Sequence, residues 1–171
     1  MVLILPLKWC LSICSAAAVH ELCHYLAIRA TGNRVHDLSV SHRGAVMQTT
    51  PLSETEELLC AFSGPVGSLL LFLCYPWIPR IAISAGVQAI FNMLPLYPLD
   101  GGRIFRILAH RFFPVHAVSI CQWTEWTLII LIFLAGLYIS VSFHLGFGPV
   151  FLSALLLFRA LLEKFLANRW N

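Results

Sequence analysis

The segment His20-Glu21-Leu22-Cys23-His24 lies inside a long apolar run, and it constrains the fold more than any other feature of the chain. Side chains four positions apart share one face of an α-helix, so His20 and His24 are expected to point the same way. Two imidazoles at this spacing can hold one zinc ion, with Glu21 beside them as a general base. The motif therefore predicts a zinc site on a helix, against the alternative of a chance match.

The composition places this motif in a membrane protein. The chain has 171 residues, of which 59% are hydrophobic and only 11% are charged, whereas a soluble domain carries roughly a quarter charged residues. This length suits one membrane-embedded domain, residues 1–171, with the lipid bilayer as its surroundings. The net charge of +3 is too small and too scattered for a nucleic-acid surface, so no nucleic-acid partner is expected.

The apolar segments predict an all-α integral membrane fold, a polytopic bundle of about five transmembrane helices. The expected spans are residues 2–30, 56–77, a third starting near 81, 126–143 and 147–166. The first three spans form a predicted core, residues 1–113, and residues 114–171 add further helices. Residues 35–50 alternate in character and predict a short β-hairpin at the membrane surface, with a plain connector as the alternative. Ser53 and Glu56 predict a capping box before the second span.

The third span contains FNMLPLYPLDGGRIF, residues 91–105, which is not expected to form a regular helix. Two prolines and two adjacent glycines oppose helical structure, and broken backbone at membrane depth is tolerated where it lines a cavity. Asp100 lies in this break. A carboxylate there can serve as the third ligand of a zinc ion held by two histidines, or it can cap the helix that follows.

The two motifs together resemble the site-2 protease family of intramembrane zinc metalloproteases. The likeness is carried by HELCH and by N-x-x-P-x-x-P-L-D-G-G, residues 92–102, and it covers the first three spans. It implies one zinc ion per chain, bound by His20, His24 and Asp100. It also implies that Glu21 is the catalytic base and that Asn92 contacts substrate. Relatives commonly have Gly where this chain has Cys23, which we expect to pack against a neighbour and not to bind zinc.

The resemblance implies an intramembrane endopeptidase that cleaves a membrane-associated protein. The sequence from residue 89 to 108 is most similar to the sporulation branch of the family, which implies a sigma-factor precursor as substrate and membrane-protein regulators as partners. Three alternatives are cleavage of another membrane-tethered regulator, an inactive relative that binds partners, and a membrane metal transporter. A transporter also places His and Asp at broken helices, but no inverted repeat is visible here.

The basic residues predict the orientation in a bacterial cell membrane. With five spans and the first loop inside, nine Lys and Arg residues lie on the cytoplasmic side and two lie outside, as the positive-inside rule favours. The nine are Arg29, Arg34, Arg43, Arg103, Arg106, Arg111, Arg159, Lys164 and Arg169, and the two are Lys8 and Arg80. The N-terminus is then outside, the C-terminus is cytoplasmic, and the metal site lies toward the cytoplasm.

Overall fold

The computed structural model describes residues 7–41 and 44–142, together with positions 154, 155 and 158. The elements in chain order are α1 (Leu7–Ala30), β1 (Val35–Ser41), β2 (Gly44–Thr49), α2 (Glu54–Leu73), α3 (Pro79–Asn92), α4 (Asp100–Phe112) and α5 (Ala117–Ser142). The chain divides into two compact units, Met1–Ala117 and Val118–Asn171. The predicted fifth span, residues 147–166, lies outside the described residues except for those three positions. The predicted single domain with its core at 1–113 stays a prediction.

Three of the described helices are long and apolar enough to cross a membrane, namely α1, α2 and α5, with 24, 20 and 26 residues. At 1.5 Å per residue, α1 is about 36 Å long, which exceeds the ~30 Å hydrocarbon core. The predicted third span is not one helix, because α3 and α4 have 14 and 13 residues and are each about 20 Å long. The fourth span is predicted to begin at residue 126, whereas α5 begins at Ala117. The more polar residues before position 126 continue the same helix.

The end of α1 is fixed by a C-terminal cap around Gly32. The backbone N–H of Gly32 donates to the Arg29 carbonyl, and that of Asn33 donates to the Ile28 carbonyl. Gly32 has a φ of 81°, a left-handed conformation that glycine adopts without a Cβ penalty. This is the Schellman arrangement, which satisfies the last helical carbonyls and turns the chain out of α1.

After α1, two strands pair with each other. β1 and β2 are antiparallel, with Leu38 opposite Met47 and Val40 opposite Ala45, and the register shifts between Val35 and Asp37. The turn that would join the strands, residues 42–43, lies outside the described residues. The hairpin as a whole therefore stays a prediction, although the paired strands fall within the predicted segment.

The start of α2 carries the predicted capping box, which is confirmed. The Ser53 side chain accepts from the Glu56 backbone, and Glu56 Oε2 accepts from the Ser53 backbone N–H at 2.8 Å. Asn33 donates to the other Glu56 oxygen at 3.0 Å and accepts from the Thr50 hydroxyl at 2.7 Å. This chain of bonds joins the end of α1, the residue after β2 and the first turn of α2.

Small residues allow α1, α2 and α3 to pack against one another. The buried positions of α1 recur every fourth residue, so they form one stripe along the helix. The stripe faces mostly small side chains on α2 and α3, as is usual where membrane helices approach closely. Those buried positions are Ser12, Ala16, His20, His24 and Ile28 on α1, Cys60, Ala61, Gly64, Pro65 and Ser68 on α2, and Ala82, Ala85, Gly86 and Ala89 on α3.

Candidate metal centre

His20 and His24 lie one turn apart in the buried stripe of α1. Their exposed fractions are 2% and 7%, so both rings are shielded by the neighbouring helices. The ring centroids are 4.8 Å apart, and the ring planes are inclined by 82°. A metal site requires that both histidine rings lie close together in one buried place, whereas a chance match to the motif does not.

The third predicted ligand reaches the histidines from α4. Asp100 is the first residue of that helix, and its Oδ2 lies 3.0 Å from His20 Nε2 and 3.2 Å from His24 Nε2. The capping alternative does not hold, because the cap position is Leu99 and no side chain caps the helix. Gly101 lets α4 begin this close to the preceding loop, since a Cβ at that position would overlap the Met93 carbonyl.

The three ligand atoms form a triangle with nearly equal sides. The third side, between Nε2 of His20 and Nε2 of His24, is 3.2 Å. Ligands at about 2.0–2.1 Å from a tetrahedral zinc ion are separated from one another by about 3.3 Å. The triangle therefore matches one face of a zinc coordination tetrahedron, as three protein ligands provide in catalytic zinc sites.

The opposite nitrogens of both rings are held by α2. His24 Nδ1 donates to the Cys60 carbonyl at 2.8 Å. A carbonyl can only accept, so Nδ1 carries the hydrogen and Nε2 of the neutral ring presents a lone pair. His20 Nδ1 lies 2.9 Å from Oγ of Ser68, which is fully buried and can accept in the same way.

This arrangement fits a bound cation. Two imidazole lone pairs and a carboxylate oxygen converge in a buried space, and they would repel one another without a positive charge between them. Metal-bound histidines usually donate their second N–H to a carbonyl or a polar side chain, as His24 does to Cys60. Within the part of the chain that the structure describes, His20, His24 and Asp100 are the group with this geometry. The donor set of two nitrogens and one carboxylate suits zinc.

The two other predicted site residues lie at the edge of this group. Glu21 is half-buried and interacts electrostatically with all three ligands. Asn92 is the last residue of α3, and its Nδ2 lies 3.2 Å from His20 Nε2. The structure thus brings together all five residues that the sequence singled out. The roles of Glu21 as a base and Asn92 as a substrate contact stay predictions.

Gly64 on α2 lies directly against the ligands. A Cβ built on Gly64 would overlap His24 Nε2 and would lie 2.8 Å from Cε1 of His20. Hence the backbone of α2 forms one wall of the metal centre at a point where no side chain fits.

Cys23 of α1 also packs against α2, at Gly67, about one turn after Gly64. A Cβ built on Gly67 would overlap Cys23 Sγ, so the thiol occupies the space that this glycine leaves open. Cys23 is not part of the metal-binding group within the described residues.

The sequence did not reveal the groups that hold the histidines. Ser68 and the Cys60 carbonyl are both on α2, and Ser63 supports the second of them by donating to the same carbonyl at 2.7 Å. Residues 63–68 are mostly small and so are suited to close helix packing. Cys60, Gly64 and Ser68 are spaced four apart, which places them on one face of α2. This spacing is the signal in the sequence that the face packs against α1.

Comparison with known proteins gives a consistent result. No family model matches the chain. A zinc metalloprotease of Methanocaldococcus jannaschii is 25% identical over 154 residues, covering 78% of this chain and 45% of the relative. This chain therefore spans less than half the length of that relative.

The solved structure of a site-2 protease from Methanocaldococcus jannaschii superimposes with a TM-score of 0.62. The match covers 86% of this chain and 73% of that one, at 19% sequence identity. The fold of this chain is therefore similar to the fold of that site-2 protease. Sequence and fold together support the family that the two motifs indicated, while the closer likeness to its sporulation branch is tested by neither comparison.

Proposed function

We propose that this chain is a zinc-dependent intramembrane endopeptidase of the site-2 protease type. The observation that carries the proposal is the buried triangle of His20 Nε2, His24 Nε2 and Asp100 Oδ2, with sides of 3.0–3.2 Å. Glu21 is half-buried and interacts electrostatically with all three residues of the triangle, which supports its assignment as the general base. The similarity to a protein named a zinc metalloprotease supports the same activity.

The zinc ion, when bound, supplies Lewis acidity that activates water and polarises the carbonyl of a peptide bond. The hydrogen bonds to the Cys60 carbonyl and Ser68 hold the two histidine rings with both Nε2 atoms near Asp100 Oδ2, and these two histidines and Asp100 would hold the ion. Glu21 takes the proton from the attacking water and later returns it to the leaving amine. Asn92 is our candidate for holding the substrate backbone by hydrogen bonding, since its Nδ2 lies 3.2 Å from His20 Nε2.

We propose a membrane-associated protein as the substrate, cut near the cytoplasmic face. Helical peptide bonds are already hydrogen-bonded, so the substrate has to unwind before it is cleaved. The antiparallel pair β1 and β2, which forms a two-stranded sheet among the described residues, can receive the substrate as a further strand along one edge. A proline at Val40 should then reduce cleavage while zinc content stays normal, and undiminished cleavage would refute the strand-pairing step.

The activity is tested with a Glu21→Gln variant purified from membranes. This variant should retain zinc, because Glu21 is not among the ligands, and it should lose proteolysis. Glu54→Gln provides a matched control, since Glu54 is an exposed carboxylate at the start of α2. Wild-type cleavage by Glu21→Gln would refute the proposed role, and zinc uptake into vesicles that survives the substitution would favour the transporter alternative.

We further propose a sporulation sigma-factor precursor as the first substrate to test, on the resemblance of residues 89–108 to the sporulation branch. The experiment is co-expression in bacterial membranes with a tagged precursor, read as product size on a gel. A shortened product from wild type, and none from Glu21→Gln, would support this assignment. Glu21-dependent cleavage of a different membrane-tethered regulator, with the sigma-factor precursor left intact, would support the protease and refute this substrate.

A further inference from the structure

The second half of α4 carries an exposed basic and aromatic surface that the proposed chemistry does not use. Arg103, Arg106 and His110 are spaced so that they share one face of this helix, and Arg111 follows His110 in its last turn. Arg106, His110 and Arg111 are all exposed. Beyond them, Phe112 and Phe113 are 67% and 58% exposed. We refer to these last five residues, Arg106, His110, Arg111, Phe112 and Phe113, as the α4 patch.

Buried residues along α4 attach this helix to the protein core. Asp100 and Gly101 at its start and Ile104 and Ala109 farther along are buried. Arg103 pairs with Glu57 on α2, at 3.5 Å. The arginines of the α4 patch have no carboxylate partner among the described ion pairs.

The position of the patch in the chain points to the bilayer surface. At 13 residues α4 is too short to cross a membrane, yet α5, the most apolar candidate span, begins at Ala117, just after the patch. A basic and aromatic helix that directly precedes a membrane span in the sequence is the pattern of an element that lies at the interface, with its cations among lipid headgroups and its aromatic rings at the acyl boundary.

We propose that the α4 patch binds the anionic headgroups of the lipids around the protein. The arginines complement phosphate-bearing headgroups in charge and in bidentate geometry. Phe112 and Phe113 insert beside them into the apolar boundary of the bilayer. Arg106 lies 5.8 Å from the centroid of the Tyr97 ring, which restrains its side chain near the loop that leads to Asp100. Headgroup binding thereby anchors the helix whose first residue is a metal ligand.

The test uses the full chain reconstituted in vesicles of equal parts phosphatidylcholine and phosphatidylglycerol. Spin-labelled forms of the two lipids report which headgroup associates with the protein. We expect wild type to prefer phosphatidylglycerol, and the preference to weaken in high salt. The double variant Arg106→Gln/Arg111→Gln should lower this preference by up to roughly 30-fold for two lost charges.

Three matched variants make the result specific. Arg106→Lys/Arg111→Lys keeps the charge and should keep most of the preference. Arg80→Gln removes an exposed arginine at the start of α3 and should have no effect. Glu21→Gln should bind phosphatidylglycerol as wild type does, which separates this proposal from that of proteolysis.

Two outcomes would overturn the proposal. The first is an unchanged lipid preference in the double glutamine variant with zinc content intact. The second is a change in the oligomeric mass of that variant without a change in lipid preference, which would assign the patch to a protein contact. A double glutamine variant that loses the preference but regains it with the lysine pair supports the proposal even if its stability is reduced.

Discussion

Gly64→Ala should abolish tight metal binding while the chain still folds. The added Cβ would overlap His24 Nε2, and it would lie 2.5 Å from Cε1 of His24 and 2.8 Å from Cε1 of His20. Carbon atoms pack at about 3.5–4.0 Å, so the rings have to retreat by roughly 1 Å. The His24 ring cannot move away freely, because its Nδ1 is hydrogen-bonded to the carbonyl of Cys60, which lies on α2 like Gly64.

The size of the effect follows from the tolerance of metal geometry. Ligand distances in a working site lie within about 0.2 Å of their ordinary values, so a shift of roughly 1 Å removes at least one ligand. Loss of a single outer hydrogen bond already costs about 10- to 100-fold in metal affinity. We therefore expect Gly64→Ala to lose more than about 100-fold in zinc affinity, measured on purified protein by competition with a chelator of known affinity.

Gly67→Ala is the matched control. Its Cβ overlaps Cys23 Sγ, so it overpacks the same helix contact without touching a ligand. Both variants should lose about 1–3 kcal/mol of stability from overpacking, but only Gly64→Ala should lose zinc. Wild-type zinc affinity in Gly64→Ala would refute the close approach of α2 to the ligands. An equal loss in Gly67→Ala would show that packing alone controls the site.

Three further substitutions test the surrounding contacts. Ser68→Ala removes the partner of His20 Nδ1 and should weaken zinc binding about 10- to 100-fold in the same competition assay, with undiminished affinity as the contrary result. Asn33→Ala removes the hydrogen bonds to Thr50 and Glu56 and should lower the free energy of unfolding by about 1–3 kcal/mol. Faster amide exchange confined to residues 50–53 would show that the segment between β2 and α2 has become less protected. Arg103→Gln breaks the ion pair with Glu57, whose atoms are 3.5 Å apart and whose side chains are 37% and 40% exposed. The free energy of unfolding should therefore change by no more than about 1 kcal/mol. A larger loss would mean that this pair anchors α4.

The grouping of the candidate site residues could be predicted because their signals are local. The histidine spacing follows from the period of one helix, and the prolines and glycines around Asp100 interrupt the next helical segment. The capping box is likewise read from four consecutive residues. In each case neighbouring positions determine the structure, and tertiary packing has only to bring the pieces together.

The contacts that orient the ligands could not be predicted, because they depend on how α1 and α2 slide along each other. Ser68 meets His20 and the Cys60 carbonyl meets His24 only in one register of that contact, and no local pattern fixes it. The division of the third span into α3 and α4 was partly visible, since the break was expected. Hydropathy nevertheless averages across such a break and suggests one span where two short helices lie.

The polar contacts also relate the metal centre to the ends of the helices. Asn33 bonds to Glu56 and Arg103 bonds to Glu57, so the end of α1, the start of α2 and the body of α4 meet at one end of the core. The exposed aromatic residues Tyr75 and Trp77 follow α2 at its other end. Along α1, the midpoint of the two histidines is about 12 Å from the C-terminal end and about 22 Å from the N-terminal end of the helix. The two histidines therefore lie nearer to the end of α1 that is followed by Arg34. If the positive-inside rule holds for this chain, that end is cytoplasmic, and a cysteine placed at Arg34 should react with a membrane-impermeant thiol reagent only after the cells are opened.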